Sequence, residues 1–501
     1  FLILPQDADH KFIILMDDVI RYCLEDIFSN FNYTNYSAYT FKITRDSELD
    51  LDNDTSKSFI ELISESLQKR QKGAPVRLVY DKYMPDRLLK KIATLLNLHK
   101  PESLIASGRY HNFKDFMDFP NVGSKDLEFE PLPPLSHPEL INQKSIFNVL
   151  NQKDILLFTP YHSFQHIVDL LREASIDPNV TSIKMTIYRV AKHSNVINAL
   201  INASRNGKDV TVYMELQARF NEEQNIYWTK KLQEAGVKIL SGIPGFKVHA
   251  KLIIIKRIEN KIRKTYANIG TGNFNEITSK VFTDIALLTS HPLICSEVDR
   301  VFSLFETYYR PQHFKKLIVA PFSMRSFVIN ALNNEIHYAK KGKPAWAIIK
   351  LNNLVDIITV QKLYQASQAG VKIKLIIRGI CVIKCGVPGL SENIETISIL
   401  DRFLEHARAY CFCNNGKEDV YISSADWMIR NFDNRFEIAC PILDPNLKEI
   451  VKKLLYINLT DNQKSRILSD KYLNCYKQSN GEEPIRLQYA LYDFLKSKIK
   501  E

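Results

Sequence analysis

Hydrophobic and polar positions divide the chain into an N-terminal mixed region and a longer region with a repeated α/β pattern. In the first region, "FIILMDDVIRYCLEDIF" has apolar residues at helical spacing, and "YTFKIT" and "PVRLVY" are apolar runs of strand length. The segment "EPLPPLSHPEL" then carries four prolines in eleven residues, which no helix or central strand tolerates. We therefore predict an α+β head domain over residues 1–130, followed by a linker.

Two copies of one unit follow the linker. "LLFTPYHSFQHIVDLLREA" and "LIVAPFSMRSFVINALNNE" each contain an apolar strand, a proline with an aromatic residue, and an amphipathic helix. Later pieces correspond as well: "NGKDVTVYMEL" with "QAGVKIKLIIRG", "FKVHAKLIII" with "FLEHARAYCF", and "YANIGTGNFN" with "VYISSADWMIRN". The spacing is preserved, because 89 residues separate Pro160 from His249 and 85 separate Pro321 from His406.

The repeat decides the predicted architecture. We predict an α/β fold with a first repeat over residues 131–316 and a second over residues 317–501, which ends in a helical tail. Because strands and helices alternate, we expect mostly parallel sheets with crossover helices, and functional residues at strand ends.

The clearest departure from the apolar pattern is the polar pair in "FKVHAKLIII". A strand alternates its faces, so His249 and Lys251 are expected on one face of a single strand. One such histidine is most often an ordinary core residue. Its counterpart in the second repeat is His406 followed by Arg408, and a matched pair indicates chemistry. We expect both pairs to face a cleft between the repeats.

A small polar loop and then an acidic residue follow each pair. The loops, residues 270–273 with Asn273 and residues 423–426, offer backbone N–H groups and side-chain donors to a phosphate. A nucleophilic imidazole also needs its second ring nitrogen held. Asp284 and Glu437 lie at matching places after the loops, and we predict that they orient the histidines. Unrelated strand-end salt bridges are the alternative.

Arginines stand at the ends of apolar strands. Arg189 ends "SIKMTIYR", Arg219 follows "VTVYMELQA", and Arg378 ends "IKLIIR". A guanidinium group binds phosphate through paired hydrogen bonds and keeps its charge. We therefore predict a phosphate clamp, which Arg430 and Arg435 extend.

The composition indicates a polyanionic partner but does not distinguish among the kinds of polyanion. The 501 residues carry a net charge of +11, which favours nucleic acid, phosphates or anionic lipid. No apolar run approaches the roughly 18–20 residues of a membrane-spanning helix. The start, "FLILPQDADH", is interpreted as an incomplete N-terminus rather than a signal peptide. The sequence contains no P-loop, no GxGxxG and no HExxH motif.

Eight cysteines without disulfide-like spacing fit a reducing compartment. A four-thiol metal site is disfavoured because the CxxC spacing is missing, and ordinary buried thiols are the preferred interpretation. The cysteines concerned are Cys381, Cys385, Cys411 and Cys413.

The same residues carry a family resemblance. The HxK and HxR motifs with their small-residue loops resemble the phospholipase D superfamily. More closely, the chain resembles bacterial polyphosphate kinase of the first type, through stretches that cover nearly its whole length. These stretches are "DDVIRYCLEDIF", "RYHNFKDFMDFPNVG", "IYRVAKHS", "ELQARFNEE", "HAKL", "IGTGNFNE", "VPGLSENI", "DRFLEH" and "ISSADWMIRN".

The resemblance implies an enzyme that reversibly transfers the terminal phosphoryl group of ATP to polyphosphate, with Mg²⁺ accompanying the ATP. It implies a phosphohistidine at His249, with Lys251 and His406 as further catalytic residues. Arg189 and Arg219 match the family's Mg²⁺-site positions. Because a guanidinium group cannot ligate a cation, we expect these arginines to hold the Mg²⁺-bound phosphates. The residues predicted to bind ATP or its phosphates are Phe282, Arg378, His406, Arg408, Asn273 and Arg435.

The resemblance also implies partners and a location. The partners are ATP, ADP and inorganic polyphosphate, with no nucleic acid among them. The expected state is a homo-oligomer, either a dimer or a tetramer. The expected location is the cytoplasm, with peripheral association at the inner membrane face.

Three features depart from the family's pattern. The family's N-terminal helical domain, which contributes an asparagine to the nucleotide site, is missing. Phe282 replaces a nucleotide-stacking tyrosine, so a ring remains but its hydroxyl is lost. Lys384 and Cys385 replace a commoner Arg-Pro pair, with an unknown effect.

Two alternatives stay open at this point. The first is a phosphodiesterase of phospholipase D type, a superfamily that usually has an aspartate five residues after the lysine of HxK. Lys256 and Cys413 occupy the corresponding positions here, which counts against it. The second is an inactive polyphosphate-binding fragment.

Overall fold

The structure, a computed structural model, divides into two compact units, Phe1–Pro131 and Leu132–Glu501. The division falls inside the proline-rich segment. The finer boundaries predicted for the two repeats stay predictions. The residues that the structure describes are 1–7, 10–45, 61, 74–243, 245–307, 312–471, 474–479 and 481–500.

The first unit contains a two-stranded and a three-stranded sheet. Strand β1 (Leu2–Ile3) is antiparallel to β2 (Ile13–Ile14). Strand β4 (Pro75–Asp81) lies between β3 (Phe41–Arg45), to which it is antiparallel, and β5 (Leu104–Ser107), to which it is parallel. The two predicted strands are thus confirmed, and the helices are α1 (Met16–Tyr22), α2 (Leu24–Ile27) and α3 (Asp86–Leu95).

The second unit contains two mixed sheets with matching strand orders, and the second sheet continues with two further strands at one edge. The strands of the first repeat are β6 (Ile155–Thr159), β7 (Val180–Ile187), β8 (Asp209–Met214), β9 (Lys238–Leu240), β10 (Lys247–Val248), β11 (Lys251–Glu259), β12 (Ile262–Gly270) and β13 (Phe282–Thr289). Those that follow are β14 (Ile318–Ala320), β15 (Trp346–Leu351), β16 (Lys372–Ile377), β17 (Ile394–Ile399), β18 (Leu404–Glu405), β19 (Arg408–Phe412), β20 (Asp419–Ser423), β21 (Arg435–Pro441), β22 (Ser465–Ile467) and β23 (Cys475–Tyr476).

The helices of this unit connect and flank the sheets, and several begin at a side-chain cap. Ser194, Asp356 and Asp444 each accept a hydrogen bond from the backbone N–H three residues later, which satisfies a donor that the helix itself cannot. The helices are α4 (Ile146–Leu150), α5 (Gln165–Ile176), α6 (Asn195–Arg205), α7 (Glu222–Glu234), α8 (Pro292–Glu306), α9 (Met324–Lys340), α10 (Ile357–Gln368), α11 (Ile429–Asp433), α12 (Pro445–Thr460) and α13 (Leu487–Lys500).

The α/β fold class is confirmed, but the prediction of mostly parallel sheets is wrong for one side of each sheet. In the first sheet, β7, β8 and β9 are parallel, whereas β11 is antiparallel to both β7 and β12. Only Asn260 and Lys261 separate β11 from β12, with φ values of 50° and 66°. A two-residue turn of this kind joins antiparallel strands, since a parallel pair needs a long crossover.

A short strand passes from each repeat into the sheet of the other. Strand β10 pairs in parallel with β21, and β18 pairs in parallel with β13. The segment "FKVHAKLIII" is therefore not one strand, as predicted, but two strands in different sheets. At the bend between them, the backbone N–H groups of His249 and Ala250 both donate to the carbonyl of Phe436, at 3.0 and 2.9 Å.

One hydrophobic core contains side chains of both repeats. Phe302 and Phe305 of α8 pack in the same cluster as Ile438 of β21 and Leu455 of α12. Fully burying a side chain of this kind stabilises the fold by roughly 1.5–3 kcal/mol. The shared core holds the two repeats as one body and fixes the exchanged strands. Within the described residues, no helix is both long and apolar enough to span a bilayer.

Candidate active site

His249 lies in the bend between β10 and β11, nearly buried. Its Nδ1 atom is 2.9 Å from Oε2 of Glu437 on β21. Glu437 is fully buried and also accepts hydrogen bonds from the Ser424 hydroxyl and, at 2.6 Å, from the Asn431 amide. Because Nδ1 faces this carboxylate, Nε2 is the ring nitrogen that can attack a substrate.

His406 has a matching arrangement after β18. Its Nδ1 atom lies 2.8 and 3.0 Å from the two carboxylate oxygens of Asp284 on β13, and the Thr271 hydroxyl donates to the same carboxylate at 2.6 Å. The exchanged strands create this pairing, since β18 brings His406 beside the first repeat's sheet. Each histidine is therefore oriented by a carboxylate of the other repeat.

The charge state of the first pair follows from burial and neighbouring cations. Burial lowers the pKa of His249; attraction to Glu437 opposes this, while Lys251 and Arg435 lower it further. Burial raises the pKa of Glu437, but the interaction with His249, including its hydrogen bond, and the nearby Lys251 and Arg435 outweigh burial and hold that pKa below its ordinary value. We assign an anionic Glu437 beside a neutral His249, because the basic groups near the pair stabilise the carboxylate and oppose a further positive charge on the imidazole.

The second pair obeys the same balance. Burial lowers the pKa of His406 against the attraction of Asp284, and Arg408 lowers it further. Burial raises the pKa of Asp284, but His406, the Thr271 hydroxyl and Arg408 bring it below its ordinary value. Both sites thus combine a carboxylate anion with an imidazole that resists protonation.

Lys251 is 1% exposed and does not face an open cleft, contrary to the prediction. Its ammonium group donates to the carbonyl of His249 and lies 5.4 Å from the ring centroid of Tyr188. Burial lowers the pKa of Lys251 well below its ordinary value. The Tyr188 ring also meets the His249 ring edge-to-face, with centroids 4.9 Å apart. Lys251 therefore places a buried amino group beside the His249 ring.

Arg408 directs its donors into the protein, contrary to its predicted phosphate contact. Its Nε and Nη2 atoms donate to the Asp426 carboxylate at 3.2 and 3.3 Å, and Nη1 donates to the carbonyl of His406 at 2.9 Å. Burial raises the pKa of Asp426, but Arg408 outweighs it and holds that pKa far below its ordinary value. Arg408 is thus placed to position His406.

The loop at residues 423–426 is likewise occupied internally. The Ser424 N–H donates to the carbonyl of Ile438, and the Ala425 N–H donates to the Ser423 hydroxyl, each at 3.0 Å. We had expected these amides to bind a phosphate, but their N–H groups are already used within the protein. Instead, the Ser424 hydroxyl of the loop donates to Glu437, and the Asp426 carboxylate of the loop accepts from Arg408.

The loop at residues 270–273 makes room for a carboxylate. A Cβ atom on Gly272 would lie 2.1 Å from Oδ2 of Asp284, so only glycine allows that carboxylate to reach His406. The Thr271 N–H donates to the carbonyl of Ile285 at 2.9 Å. The Oδ1 atom of Asn273 is buried without a hydrogen-bond partner among the described residues.

Two of the predicted nucleotide-binding residues lie around His406. Phe282 begins β13, and its ring centroid is 5.3 Å from that of His406. Arg378 follows β16 and donates from Nε to Oδ1 of Asn352 at 3.2 Å, while the Asn352 amide donates to the carbonyl of His406 at 3.1 Å. Burial and the charge of Arg408 lower the pKa of Arg378. An aromatic ring and a guanidinium group therefore flank this histidine.

The other predicted arginines lie in three different places. Arg189 follows Tyr188 and donates from Nη2 to the carbonyl of Arg219 at 3.4 Å, which brings the two positions together. Arg435 begins β21, two residues before Glu437. Arg430 is exposed on α11, and no described contact links it to either histidine.

The Mg²⁺ positions do not fit a bare metal ion. Among the described residues, no group of three or more His, Cys, Asp or Glu side chains is arranged to hold a metal. Arg189 and Arg219 are cationic donors, which repel a metal ion and attract its phosphate ligands. The four cysteines considered above are free thiols in the structure.

Sequence reasoning missed several supporting residues. Glu215 is nearly buried and accepts the N–H groups of Val248, at 2.8 Å, and Gln217, at 3.0 Å, which fixes the entry to the bend. Burial raises the pKa of Glu215. An acidic residue directly after the apolar run "VTVYM" was the available signal. No local pattern singles out Asn352, whose partners Arg378 and His406 are distant in sequence, or Asn431, which lies six residues before its partner Glu437.

Comparison with known proteins decides the family. The sequence matches the polyphosphate kinase middle domain over residues 1–119, C-terminal domain 1 over residues 145–311 and C-terminal domain 2 over residues 317–488. The chain belongs to the polyphosphate kinase family. The predicted family and the predicted enzyme class, a polyphosphate kinase, are thereby confirmed.

Individual polyphosphate kinases are similar over the whole chain. The Vibrio vulnificus (strain YJ016) enzyme is 48% identical over 503 residues, covering 100% of this chain and 72% of the relative. The Escherichia coli (strain K12) enzyme is 46% identical over 502 residues, covering 99% and 73%. The crystal structure of polyphosphate kinase from Porphyromonas gingivalis superposes with a TM-score of 0.87 at 36% identity, covering 100% of this chain and 73% of that one.

Proposed function

We propose that the chain reversibly transfers the terminal phosphoryl group of ATP to inorganic polyphosphate through a phosphohistidine on His249. The supporting observation is the buried pair of His249 and Glu437, whose interacting atoms are 2.9 Å apart. The carboxylate holds Nδ1–H, and the neutral ring offers the Nε2 lone pair to an electrophile. Family membership supplies the reaction class.

The reaction consists of two displacements at one phosphorus atom. In the first, Nε2 of His249 attacks the γ-phosphorus, an N–P bond forms, and the bond to the bridging oxygen of ADP breaks. The ring becomes an imidazolium, which Glu437 stabilises through Nδ1–H. In the second, a terminal oxygen of polyphosphate attacks the same phosphorus and the N–P bond breaks. The neutral ring returns, and the polyphosphate is one phosphate longer.

Cations and the second histidine support the transferring group. Lys251 and Arg435 place positive charge beside His249, where the phosphoryl oxygens carry negative charge. His406, oriented by Asp284, serves as an acid/base group or as a phosphate contact. Arg408 positions His406.

The remaining predicted residues form the nucleotide end of the site. Phe282 stacks on the base, and Arg378 and Asn273 bind phosphate oxygens. Arg189 and Arg219 hold the phosphates that carry Mg²⁺, which enters as part of the MgATP substrate. The missing hydroxyl at Phe282 leaves stacking intact and removes a hydrogen bond.

Labelling with [γ-³²P]ATP and Mg²⁺ tests the mechanism. We expect protein-bound phosphate that is labile in acid and stable in base, as a phosphoramidate is. His249→Ala should abolish the label. His111→Ala, in the first unit, is the matched control and should retain it. Label of equal intensity in the His249→Ala variant would show that the phosphoryl group is carried elsewhere.

The same experiment separates the two alternatives. A phosphodiesterase of phospholipase D type would cleave a diester and take no label from ATP. At the position where that superfamily usually has an aspartate, Lys256 forms an ion pair with Asp299 at 2.7 Å, which disfavours this function. An inactive polyphosphate-binding fragment would bind polyphosphate without labelling.

Assembly and location are also proposed from the family. We expect a dimer or tetramer in the cytoplasm, with peripheral association at the inner membrane face and no nucleic-acid partner. Sedimentation equilibrium measures the assembly. Co-sedimentation with anionic vesicles measures the membrane association.

A further inference from the structure

A groove lies at the end of the second sheet that is remote from the two histidines. Pro441 lines it and stands four residues along β21 from Glu437, which is ~13 Å at the rise of a strand. The groove has two adjoining compartments of about 360 and about 130 Å³. Phe327, Asp419 and Tyr421 line both compartments, so they mark the junction. Together the compartments have the size of a small-ligand site.

Lysines line the larger compartment. Lys315, Lys316 and Lys448 all belong to its wall. The backbone of the first two is fixed, because the fully buried Glu297 carboxylate accepts the N–H groups of Lys315, Lys316 and Leu317 at 2.6, 3.0 and 2.8 Å. Two lysines on a fixed backbone, together with Lys448, whose ammonium group donates to the Glu418 carbonyl at 3.4 Å, form a binding surface for phosphate groups.

The junction between the compartments is aromatic. The rings of Phe327 on α9 and Tyr421 on β20 meet edge-to-face, with centroids 4.8 Å apart. Phe327 also meets Phe412 at 6.3 Å, which holds its ring from behind. Such rings present a stacking surface to a flat ligand, a contact worth ~1–3 kcal/mol for a nucleobase.

The smaller compartment is lined by amides and carboxylates. Asn334 donates to the side-chain oxygen of Asn414 at 2.9 Å, and the Asn414 amide donates to Asp419 at 2.7 Å. The N–H of Asn414 donates to the buried Glu335 at 2.7 Å, so this polar wall is fixed as well. Amide and carboxylate groups match the hydrogen-bonding edge of a nucleobase.

We propose that this groove is a second binding site, distinct from the catalytic centre, for a nucleoside polyphosphate. The order of groups along the groove carries the inference. Cations at one end suit phosphates, aromatic rings at the junction suit a stacked base or sugar, and amides at the other end suit the polar edge of the base. The inference does not depend on the phosphohistidine mechanism, because none of these residues contacts His249 or His406 among the described contacts.

Photolabelling with 8-azido-ADP, followed by peptide mapping of the full chain, tests the site. We expect labelled peptides that contain Phe327 or Tyr421, in addition to peptides of the catalytic centre. Unlabelled ADP should displace the groove label. Tripolyphosphate, which lacks a base, and adenosine, which lacks phosphates, should each compete about tenfold less well, because each uses only part of the groove.

Charge reversal provides the matched comparison. Lys315→Glu combined with Lys316→Glu should lower the groove label about tenfold and leave the catalytic-centre label unchanged. Lys340→Glu combined with Lys341→Glu makes the same charge change on an exposed lysine pair at the end of α9, and should leave both labels unchanged.

Three results would overturn the proposal. The first is the absence of labelled groove peptides at a saturating probe concentration. The second is an equal groove label in the Lys315→Glu/Lys316→Glu variant and in the wild-type chain. The third is displacement by tripolyphosphate as effective as displacement by ADP, which would assign the groove to bare phosphate chains.

Discussion

Single residues of the site are specified by the space and charge around them. Asp284 reaches His406 only because residue 272 has no side chain. Glu437 is fully buried, yet it stays anionic because Lys251 and Arg435 lie near it and three side chains donate to it. A small substitution at such a position is therefore expected to change the orientation or charge state of a histidine, even where the substituted residue does not contact it.

Gly272→Ala is the most direct test at this scale. The new methyl group would clash with Asp284, so the carboxylate must move and His406 loses its orientation. We expect polyphosphate synthesis to fall between about tenfold and about 100-fold in kcat, with the fold retained. Activity assays with urea unfolding as a check on the fold measure both effects.

Gly270→Ala is the matched control. A Cβ atom there would meet its nearest neighbours at 3.6 Å, an ordinary contact. Its activity should stay near that of the unchanged chain. Equal activity of the two variants would mean that polyphosphate synthesis does not depend on the position of the Asp284 carboxylate.

At the scale of elements, the linker lies against the turn between β6 and α5 in a cluster of three histidines, of which His162 is buried and His137 and His166 are half-buried. The Leu135 N–H donates to the Tyr161 carbonyl at 2.7 Å, which docks the linker. Each histidine accepts a backbone N–H on a ring nitrogen, which requires that nitrogen to be unprotonated. These bonds run from Glu139 to His137 Nδ1 at 3.2 Å, from Phe158 to His162 Nδ1 at 3.2 Å, and from His137 to His166 Nε2 at 3.0 Å.

This histidine cluster predicts a loss of stability in mild acid. Burial lowers the pKa of His137 to about 4 and that of His162 to about 3. The unfolded chain therefore binds protons below about pH 6.5 that the folded chain rejects. The full contribution to the free energy of unfolding is present above that pH. It is lost as the pH falls toward the pKa values that the histidines have in the folded chain. Each such histidine should cost ~2 kcal/mol between about pH 7.5 and about pH 5.

His162→Asn isolates one member of the cluster. The asparagine oxygen can still accept from Phe158, but it does not titrate. Urea unfolding at the two pH values should show a loss smaller by ~2 kcal/mol than in the unchanged chain. His313→Asn, which changes an exposed ring, should lose as much stability as the unchanged chain. An equal loss in the His162→Asn variant would contradict the role of the cluster.

At the scale of the whole second unit, the two repeats form one body. The core includes side chains of both repeats, and β10 and β18 each join the opposite sheet. Consequently neither repeat contains a complete histidine–carboxylate pair. The interface between the repeats is therefore part of the proposed catalytic centre.

Glu437→Gln tests this dependence across the repeats. Glutamine keeps the size of the side chain but loses the charge that stabilises the imidazolium of His249. We expect the label from [γ-³²P]ATP to form about 100-fold more slowly, although the changed residue belongs to the other repeat. Glu418→Gln, in an ion pair with Lys452, is the control and should label normally. Normal labelling of the Glu437→Gln variant would contradict the proposed role.

The sequence by itself predicted most of the elements, the repeat and the residues proposed to react. Strands and helices followed from apolar periods of two and 3.6 residues, which are local properties of the chain. His249 and His406 stood out because the two repeats could be compared position by position. Asp284 and Glu437 were found by the same comparison, but it did not show which histidine each carboxylate would contact.

The tertiary structure decided which groups meet. His249 and Glu437 are 188 residues apart in sequence, and His406 and Asp284 are 122 apart, distances over which no local period carries information. The break at His249 arises because β10 and β11 enter different sheets, and the burial of Lys251 and the commitment of Arg408 to Asp426 depend on the same packing. Side-chain burial and pairing depend on contacts between distant segments, and these exist only once the two repeats share a core.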